Sequence, residues 1–444
     1  MNSMTNRRQF LGAAGMAAGS ASFLLDGDKI NADEPRPRPK VAVIYTVCFH
    51  RSHAHVILEN FLTPLLFNGK IMQPAVEVVS IYADQISREK SPADLTEGMV
   101  RQFKLRRCKT IAEALTLGGK ELAVDAVLSI GEHGDYPTNK LGVREYPRKR
   151  FFDEIVAVMR QSNRFVPIFN DKHLSYRWDW AREMFDTCQK HRIPFMAGSS
   201  VPLAQRRPVL ELPANCVVEE AVSIHGGGFE TYDFHGLEVL QAFLEARKGG
   251  ETGITHVEFL PREALFRAAQ QGRWSLDLAR TALRGEFGDK LPDITQPINK
   301  IEPWGIHLTY RDGTKATVLK LGDTSPTRWH FACKLAGEKT PRVTSHYVGP
   351  WGNRCLFLAL SHAIQHFFVT RVAPYPVERT LLTTGAVEAA VRSRSDKRRL
   401  ETPHLHIAYS SRDYRAMREQ GESWKVLTQD SKETRGFAER PLRR

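Results

Sequence analysis

Between Asp125 and Ala197 the chain alternates apolar strand-like runs with amphipathic helix-like ones, and this stretch constrains the fold most. Asp125-Ala126-Val127-Leu128-Ser129-Ile130 reads as a buried strand, Phe151 to Met159 as a helix and Val166 to Phe169 as the next strand. Trp180 to His191 reads as another helix and Pro194 to Ala197 as another strand. Such repeats predict an α/β fold with a doubly wound parallel sheet, whose ligands sit beyond the carboxyl ends of the strands. What stands at those ends is polar. Asn170-Asp171-Lys172-His173 follows the apolar run from Phe165, and Gly131-Glu132-His133-Gly134-Asp135-Tyr136 follows Ile130. An acid and a lysine at a strand tip can serve a reaction, or they can cap and pair a turn.

The region before this stretch fits a dinucleotide fold with one departure. Val41 to Tyr45 is a credible first strand, and Val76 to Tyr82 a second that runs out to Asp84, where a ribose-binding acid would sit. A glycine-rich turn should follow the first strand, because a pyrophosphate approaches the backbone closely there. Instead the chain reads Thr46-Val47-Cys48-Phe49-His50-Arg51-Ser52-His53-Ala54-His55, with no glycine between Lys40 and Asn68. Arg51 and Ser52 can hold phosphate by charge and hydroxyl instead. The same loop supports a rival reading in which His50, His53, His55 and His133 bind zinc, iron or manganese. These histidines match no established zinc motif, and single histidines can equally be hydrogen-bonded wall residues.

Farther along, Ser223-Ile224-His225-Gly226-Gly227-Gly228 precedes Tyr232-Asp233-Phe234-His235-Gly236-Leu237-Glu238 and a helix over Val239 to Arg247, for which Asp233 is a candidate N-cap. Trp304 to Leu321 alternates around Arg311-Asp312-Gly313, a strand–turn–strand hairpin. Tyr375 to Ser393 reads as a closing helix, Leu405 to Tyr409 as a last strand, and the polar residues 411–444 as a loose tail.

Over residues 40–410 the pattern resembles the glucose-fructose oxidoreductase, inositol dehydrogenase and rhizopine catabolism family, Gfo/Idh/MocA. Its members carry a strand like Asp125 to Ile130, preceded by a helix like Thr110 to Leu115. They then carry a strand ending in Glu-Lys-Pro, where this chain has Asp171-Lys172-His173. Ala181 to Ser199 and Pro376 to Ser393 also look like family segments, as does the glycine run ahead of His235. The resemblance implies a Rossmann-like domain over 40–200 and a C-terminal α+β domain with an open mixed sheet over 201–410. It also implies oxidation of a sugar, cyclitol or related polyol with tightly held NAD or NADP. Lys172, His235 and Asp171 would then be catalytic, His235 taking the proton and Lys172 orienting the hydroxyl. Arg51, Ser52, Asp84, Glu132 and His133 would hold the cofactor, and Asp135, Tyr136, His173, Asp233 and Glu238 the substrate. The acid four residues before the family's histidine is replaced by Thr231. A lyase or hydrolase using a divalent transition metal or acid/base groups on this scaffold, and a non-catalytic sugar-binding protein, are the alternatives.

At the amino end, Arg7-Arg8 followed by the apolar, small-residue stretch Gly12 to Leu25 reads as a twin-arginine export signal over 1–32, with a proline-rich spacer over 33–39. The expected address is the periplasm or exterior of a bacterium or archaeon, after passage through the twin-arginine translocase. The 63 lysines and arginines exceed the 50 acids by 13, but no basic-aromatic motif accompanies them, so specific nucleic-acid binding is not expected. A homo-oligomer is compatible with this pattern. The six cysteines show no paired spacing and read mostly as buried thiols, with room for one disulfide.

Overall fold

A computed structural model describes residues 37–86, 93–298, 300–321 and 328–434; the expected export signal and the end of the tail lie outside the described residues. Six short strands form a parallel sheet; four of them are buried almost throughout, as when both faces are covered, while the edge strand Arg106–Cys108 exposes both of its arginines. The six are β1 (Lys40–Tyr45), β2 (Glu77–Ala83), β3 (Arg106–Cys108), β4 (Ala126–Ile130), β5 (Ile168–Asp171) and β6 (Phe195–Gly198). Their spatial order is β3-β2-β1-β4-β5-β6, every neighbouring pair parallel. The chain order therefore reverses between β1 and β4, and the crevice above that point is where such sheets take ligands.

The helices follow from their caps and apolar faces. In α1 (His53–Leu62) Ser52 is the N-cap and accepts from the amide of His55. After α2 (Thr96–Phe103), Thr110 caps α3 (Ile111–Thr116) in the same way. α4 (Arg148–Gln161) and α5 (Trp178–His191) complete the strand–helix alternation. A two-stranded hairpin, Leu65–Phe67 with Lys70–Met72, is an addition that the sequence pattern did not announce.

The second sheet has eight strands: β7 (Gln205–Arg207), β8 (Val218–His225), β9 (Ile254–Pro261), β10 (Trp304–Tyr310), β11 (Lys315–Lys320), β12 (Arg328–Leu335), β13 (Arg342–Tyr347) and β14 (Leu400–Glu401). Their order is β14-β9-β10-β11-β8-β12-β13-β7, mixed because β8 and β11 alone run parallel. Between them in the chain come α6 (Thr231–Leu244), α7 (Arg262–Gln270), α8 (Leu276–Phe287), α9 (Asn353–Thr370) and α10 (Val377–Asp396). Val222 and Ile224 pack in one cluster with Trp274 and Leu278, while Ala221 belongs to the larger core with Leu237 and Leu240. Alternate side chains of β8 thus feed opposite layers. The Rossmann-like first layer and open mixed second sheet are the architecture expected from the sequence. None of the helices among the described residues is long and apolar enough to cross a membrane.

Three local expectations change. The helix expected from Val239 begins at Thr231, with Glu230 as N-cap; Asp233 sits at the third helical position and returns a bond to the Glu230 amide in a reciprocal capping box. The last strand is Leu400–Glu401 rather than 405–409, because Pro403 starts a single tight turn through Leu405. Residues 411–434 are not a loose tail: Tyr414, Arg418, Glu419 and Ser423 are buried. The Glu419 carboxylate there bonds Ser423 and the amides of Asn68 and Gly421. All six cysteines are free thiols, five of them buried. One larger point is topological: α9, late in the chain, packs on α1, with Phe61 and Phe368 ring to ring at 6.4 Å.

Candidate active site

The tips of β4, β5 and β6 meet the start of α6, and the groups collected there are nearly all buried. Lys172 ends β5 in the left-handed region, φ 66°, and its amide donates to Gly198 O at the tip of β6. Its Nζ lies 3.2 Å from Glu132 Oε1, with both side chains about 95% out of solvent (3% and 5% exposed). Arg148, at the head of α4, holds the other Glu132 oxygen at 2.5 Å. Burial alone would push the Glu132 carboxyl up. The Lys172 ammonium and Arg148 guanidinium outweigh it and hold Glu132 well below the usual carboxylate range.

His235 projects from the first turn and a half of α6 and sits beside Ser199, Oγ to Nδ1 2.6 Å. Burial, then the neighbouring charge of Lys172 and the His53 ring, push its imidazole well below the ordinary value, so it is neutral near pH 7. Glu238, one helical turn on, is fully buried; Thr383 of α10 donates to Oε1 at 2.6 Å and the Ser199 amide to Oε2 at 3.3 Å. Burial raises its carboxyl despite these donors and Arg379. Gly198 is required at this junction: its φ is 129°, and a Cβ there would come within 2.8 Å of Glu238 Oε2 and Thr380 Oγ1.

The remaining candidates divide between this cluster and its edges. Asp171 is not paired with Lys172 but with His53, Oδ2 to Nδ1 2.6 Å. His133 stacks edge-on to the His53 ring at 5.3 Å, and burial together with His53 pushes it down to about 4. His173 Nε2 lies 3.0 Å from Glu230 and 3.1 Å from Arg148, and one nitrogen can serve only one of them at a time. Burial and Arg148 push His173 down, so its neutral imidazole either donates to Glu230 or accepts from Arg148. Asp233 bonds His225 at 2.9 Å and the Trp304 indole at 3.0 Å, outside the cluster.

The cofactor-side candidates lie along the crevice mouth. Arg51 adopts φ 68°, supplying in the β1–α1 turn the backbone form that a glycine gives elsewhere, and its guanidinium pairs with Glu433 at 2.5 Å. Ser52 Oγ accepts from the Phe49 amide at 3.0 Å. Asp84 is held by three donors, the Tyr82 and Tyr136 hydroxyls at 2.7 and 2.6 Å and Arg150 at 2.6 Å. Its burial favours the acid form, but these bonds win and lower it. Gln85 clamps the backbone of Asp135 by both N–H and C=O, each at 2.8 Å, and the Asp135 carboxylate makes no hydrogen bond among the described residues. The histidine loop does not converge. His50 and His55 pair ring to ring at 5.0 Å while His53 turns to Asp171, and no group of three metal-ligating side chains forms among the described residues.

Four participants were not marked in the sequence: Arg148, Ser199, Glu230 and Thr383. Glu230 carried the best clue, since it stands one position before Thr231, where the family pattern has its acid.

Among solved structures, the chain is similar to GenD2 from gentamicin A biosynthesis, determined in complex with NAD. Identity is 13% over 82% of this chain and 96% of that one, with a TM-score of 0.51. It is similar also to myo-inositol dehydrogenase from Lactobacillus casei, determined with NAD(H) and myo-inositol, at 15% identity over 82% and 96% of the two chains and a TM-score of 0.51. Scyllo-inositol dehydrogenase from the same species gives 9% identity over 83% and 99% and a TM-score of 0.50. These neighbours are of the Gfo/Idh/MocA type, and the likeness establishes a common fold. No family model and no curated protein matches the chain.

Proposed function

We propose that the protein is an exported NAD(P)-dependent oxidoreductase of the Gfo/Idh/MocA kind that acts on a sugar, cyclitol or related polyol. The observation that carries this reading is the buried cluster that brings Lys172, paired with Glu132 at the strand tips, within electrostatic influence of a neutral His235 imidazole at the start of α6. The shared fold with enzymes determined in complex with NAD and myo-inositol supports it.

The residues fit a dinucleotide in a modified form. The positive-φ turn at Arg51 and the start of α1 would face its phosphates. Asp84 would face a ribose after yielding one of its present donors. When bound, the nicotinamide accepts a hydride from the carbon that carries the reacting hydroxyl. The chain's own groups do the rest. Lys172 binds and orients that hydroxyl, and Glu132 with Arg148 fixes the lysine in place. In the tautomer whose Nδ1–H donates to Ser199 Oγ, His235 would present its Nε2 lone pair to the substrate and take the hydroxyl proton. His173, Glu230 and Glu238 would bond further hydroxyls around the ring in exchange for some of their present partners.

A second reading, elimination or hydrolysis by acid/base groups, draws on the His53–Asp171 pair, an imidazole oriented by a buried carboxylate. One experiment separates the two. Acid extraction of the purified protein with mass spectrometry, followed by assay against polyols with NAD and NADP, should give a bound or bindable dinucleotide and reduced cofactor. Substrate conversion without change in the dinucleotide would instead support the second reading.

A further inference from the structure

Away from the strand tips, a cavity of about 630 Å³ lies between the end of α6, the β7–β8 connection and residues 410–418. Its charge does not balance. Among its arginines, Arg415 is held by both oxygens of Asp413, and Arg247 by Glu251 and Asp312. Of its carboxylates, Glu245 is taken by Arg379. Three guanidiniums, those of Arg206, Arg412 and Arg418, are left to one carboxylate, Glu211, among the described residues.

Two of the three are deeply placed. Arg206 is 6% and Arg418 4% exposed, and the Nε of each has no hydrogen-bond partner among the described residues. Arg206 stacks over Phe243 at 4.1 Å, and its remaining bonds go to Leu210 O, Glu211 and the Tyr414 hydroxyl. Burial, with Arg418 nearby, drags its guanidinium down to about 10 against the pull of Tyr414 and Glu211, as an under-compensated cation requires. Arg412 is exposed at the rim, and among the described residues it bonds the Ala373 carbonyl alone, at 2.9 Å.

We propose that this cavity is a binding site for a phosphate monoester, with Arg206, Arg412 and Arg418 as its anion-holding residues. An excess of two positive charges matches a group that carries close to two negative ones at neutral pH, and planar guanidiniums suit its oxygens. The cavity is far larger than a single tetrahedral ion, and its wall includes Phe243, Leu212 and Tyr414, so an organic body is accommodated beside the phosphate. The site is independent of the proposed oxidation chemistry.

Thermal unfolding of the full chain tests it, with sodium phosphate, glucose 6-phosphate or glucose against sodium chloride at equal ionic strength. Either phosphate should raise Tm by at least about 2 °C, and inorganic phosphate should do so without any sugar present, while the shift with glucose alone reports sugar binding at the strand tips. Tighter half-saturation by glucose 6-phosphate than by inorganic phosphate assigns the occupant to an ester, and the reverse to the free ion. Two variants move in opposite directions by calorimetric titration: Arg412→Gln should weaken phosphate binding about fivefold or more, and Glu211→Gln should tighten it about threefold. No phosphate-specific shift, or variants that leave affinity unchanged, would overturn the proposal.

Discussion

His53 and Asp171 stand 118 positions apart, yet Nδ1 of one lies 2.6 Å from Oδ2 of the other, across the crevice where the sheet order reverses. This contact ties the start of α1 to the tip of β5 and removes Asp171 from Lys172. The lysine answers to Glu132 instead, so its partner comes from the neighbouring strand and not from its own Asp-Lys dipeptide.

Lys172→Ala should therefore lower kcat/KM for the polyol by about 10²-fold or more, with unfolding little changed if the cavity hydrates. Steady-state kinetics alongside a melting curve checks this. His235→Ala should cost a similar factor, within the 10²–10⁴ range of a positioned base.

Acid should destabilise the fold through its buried histidines. His133, His307 and His362 are each pushed to about 4 and His346 to about 3, chiefly by burial. Between those values and the ordinary 6.5 the unfolded chain binds more protons than the folded one, so stability is full above pH 6.5 and falls as pH drops toward 4. Chemical denaturation at pH 7.5, 6.0 and 5.0 should give a midpoint that declines steadily; a flat profile would contradict it.

Asp84 offers a gain-of-binding experiment. Removing the Tyr136 hydroxyl with Tyr136→Phe frees one carboxylate oxygen for a ribose. On the proposed reading, NAD affinity should rise, by about three- to tenfold for one neutral hydrogen bond no longer displaced. Fluorescence titration of NAD would reveal it, and a weaker complex would place the ribose elsewhere.

Gly198→Ala should disturb site and fold together. The added methyl meets Glu238 and Thr380 at 2.8 Å in a backbone region that alanine rarely adopts. A loss of stability of about 2 kcal/mol or more is expected by urea unfolding, with activity falling even at temperatures where the variant stays folded.

The alternation from Asp125 to Ala197 carried the sheet, because fully buried parallel strands leave an apolar signature that needs no partner information. The hairpin at β10–β11 was legible from Arg311-Asp312-Gly313 for the same local reason. Candidate groups were legible where polar residues stand on strand tips, hence Lys172, Glu132 and His173, and on α6 where the glycine run resembles the family pattern, hence His235 and Glu238. Arg148, Ser199 and Thr383 escaped because each belongs to the site through tertiary approach, and an arginine at a helix head or a threonine inside a helix has no distinctive spacing. The tail escaped because its composition is polar, while its seating depends on Glu419 meeting Asn68, 351 positions away. Asp171 stands beside Lys172 in sequence, but at the strand tip its carboxylate turns to His53.

The packing of α9 on α1 has a consequence for how the molecule comes into being. The outer face of α1 belongs to the first fifth of the chain, but its cover is made only when synthesis reaches residues 353–370. A ribosome that has finished the first sheet still holds an apolar helix open to water, and the two halves cannot mature one after the other. Assembly must wait for the late helix. A fragment ending after β13 should collect in aggregates or on chaperones instead of behaving as a free-standing nucleotide-fold domain.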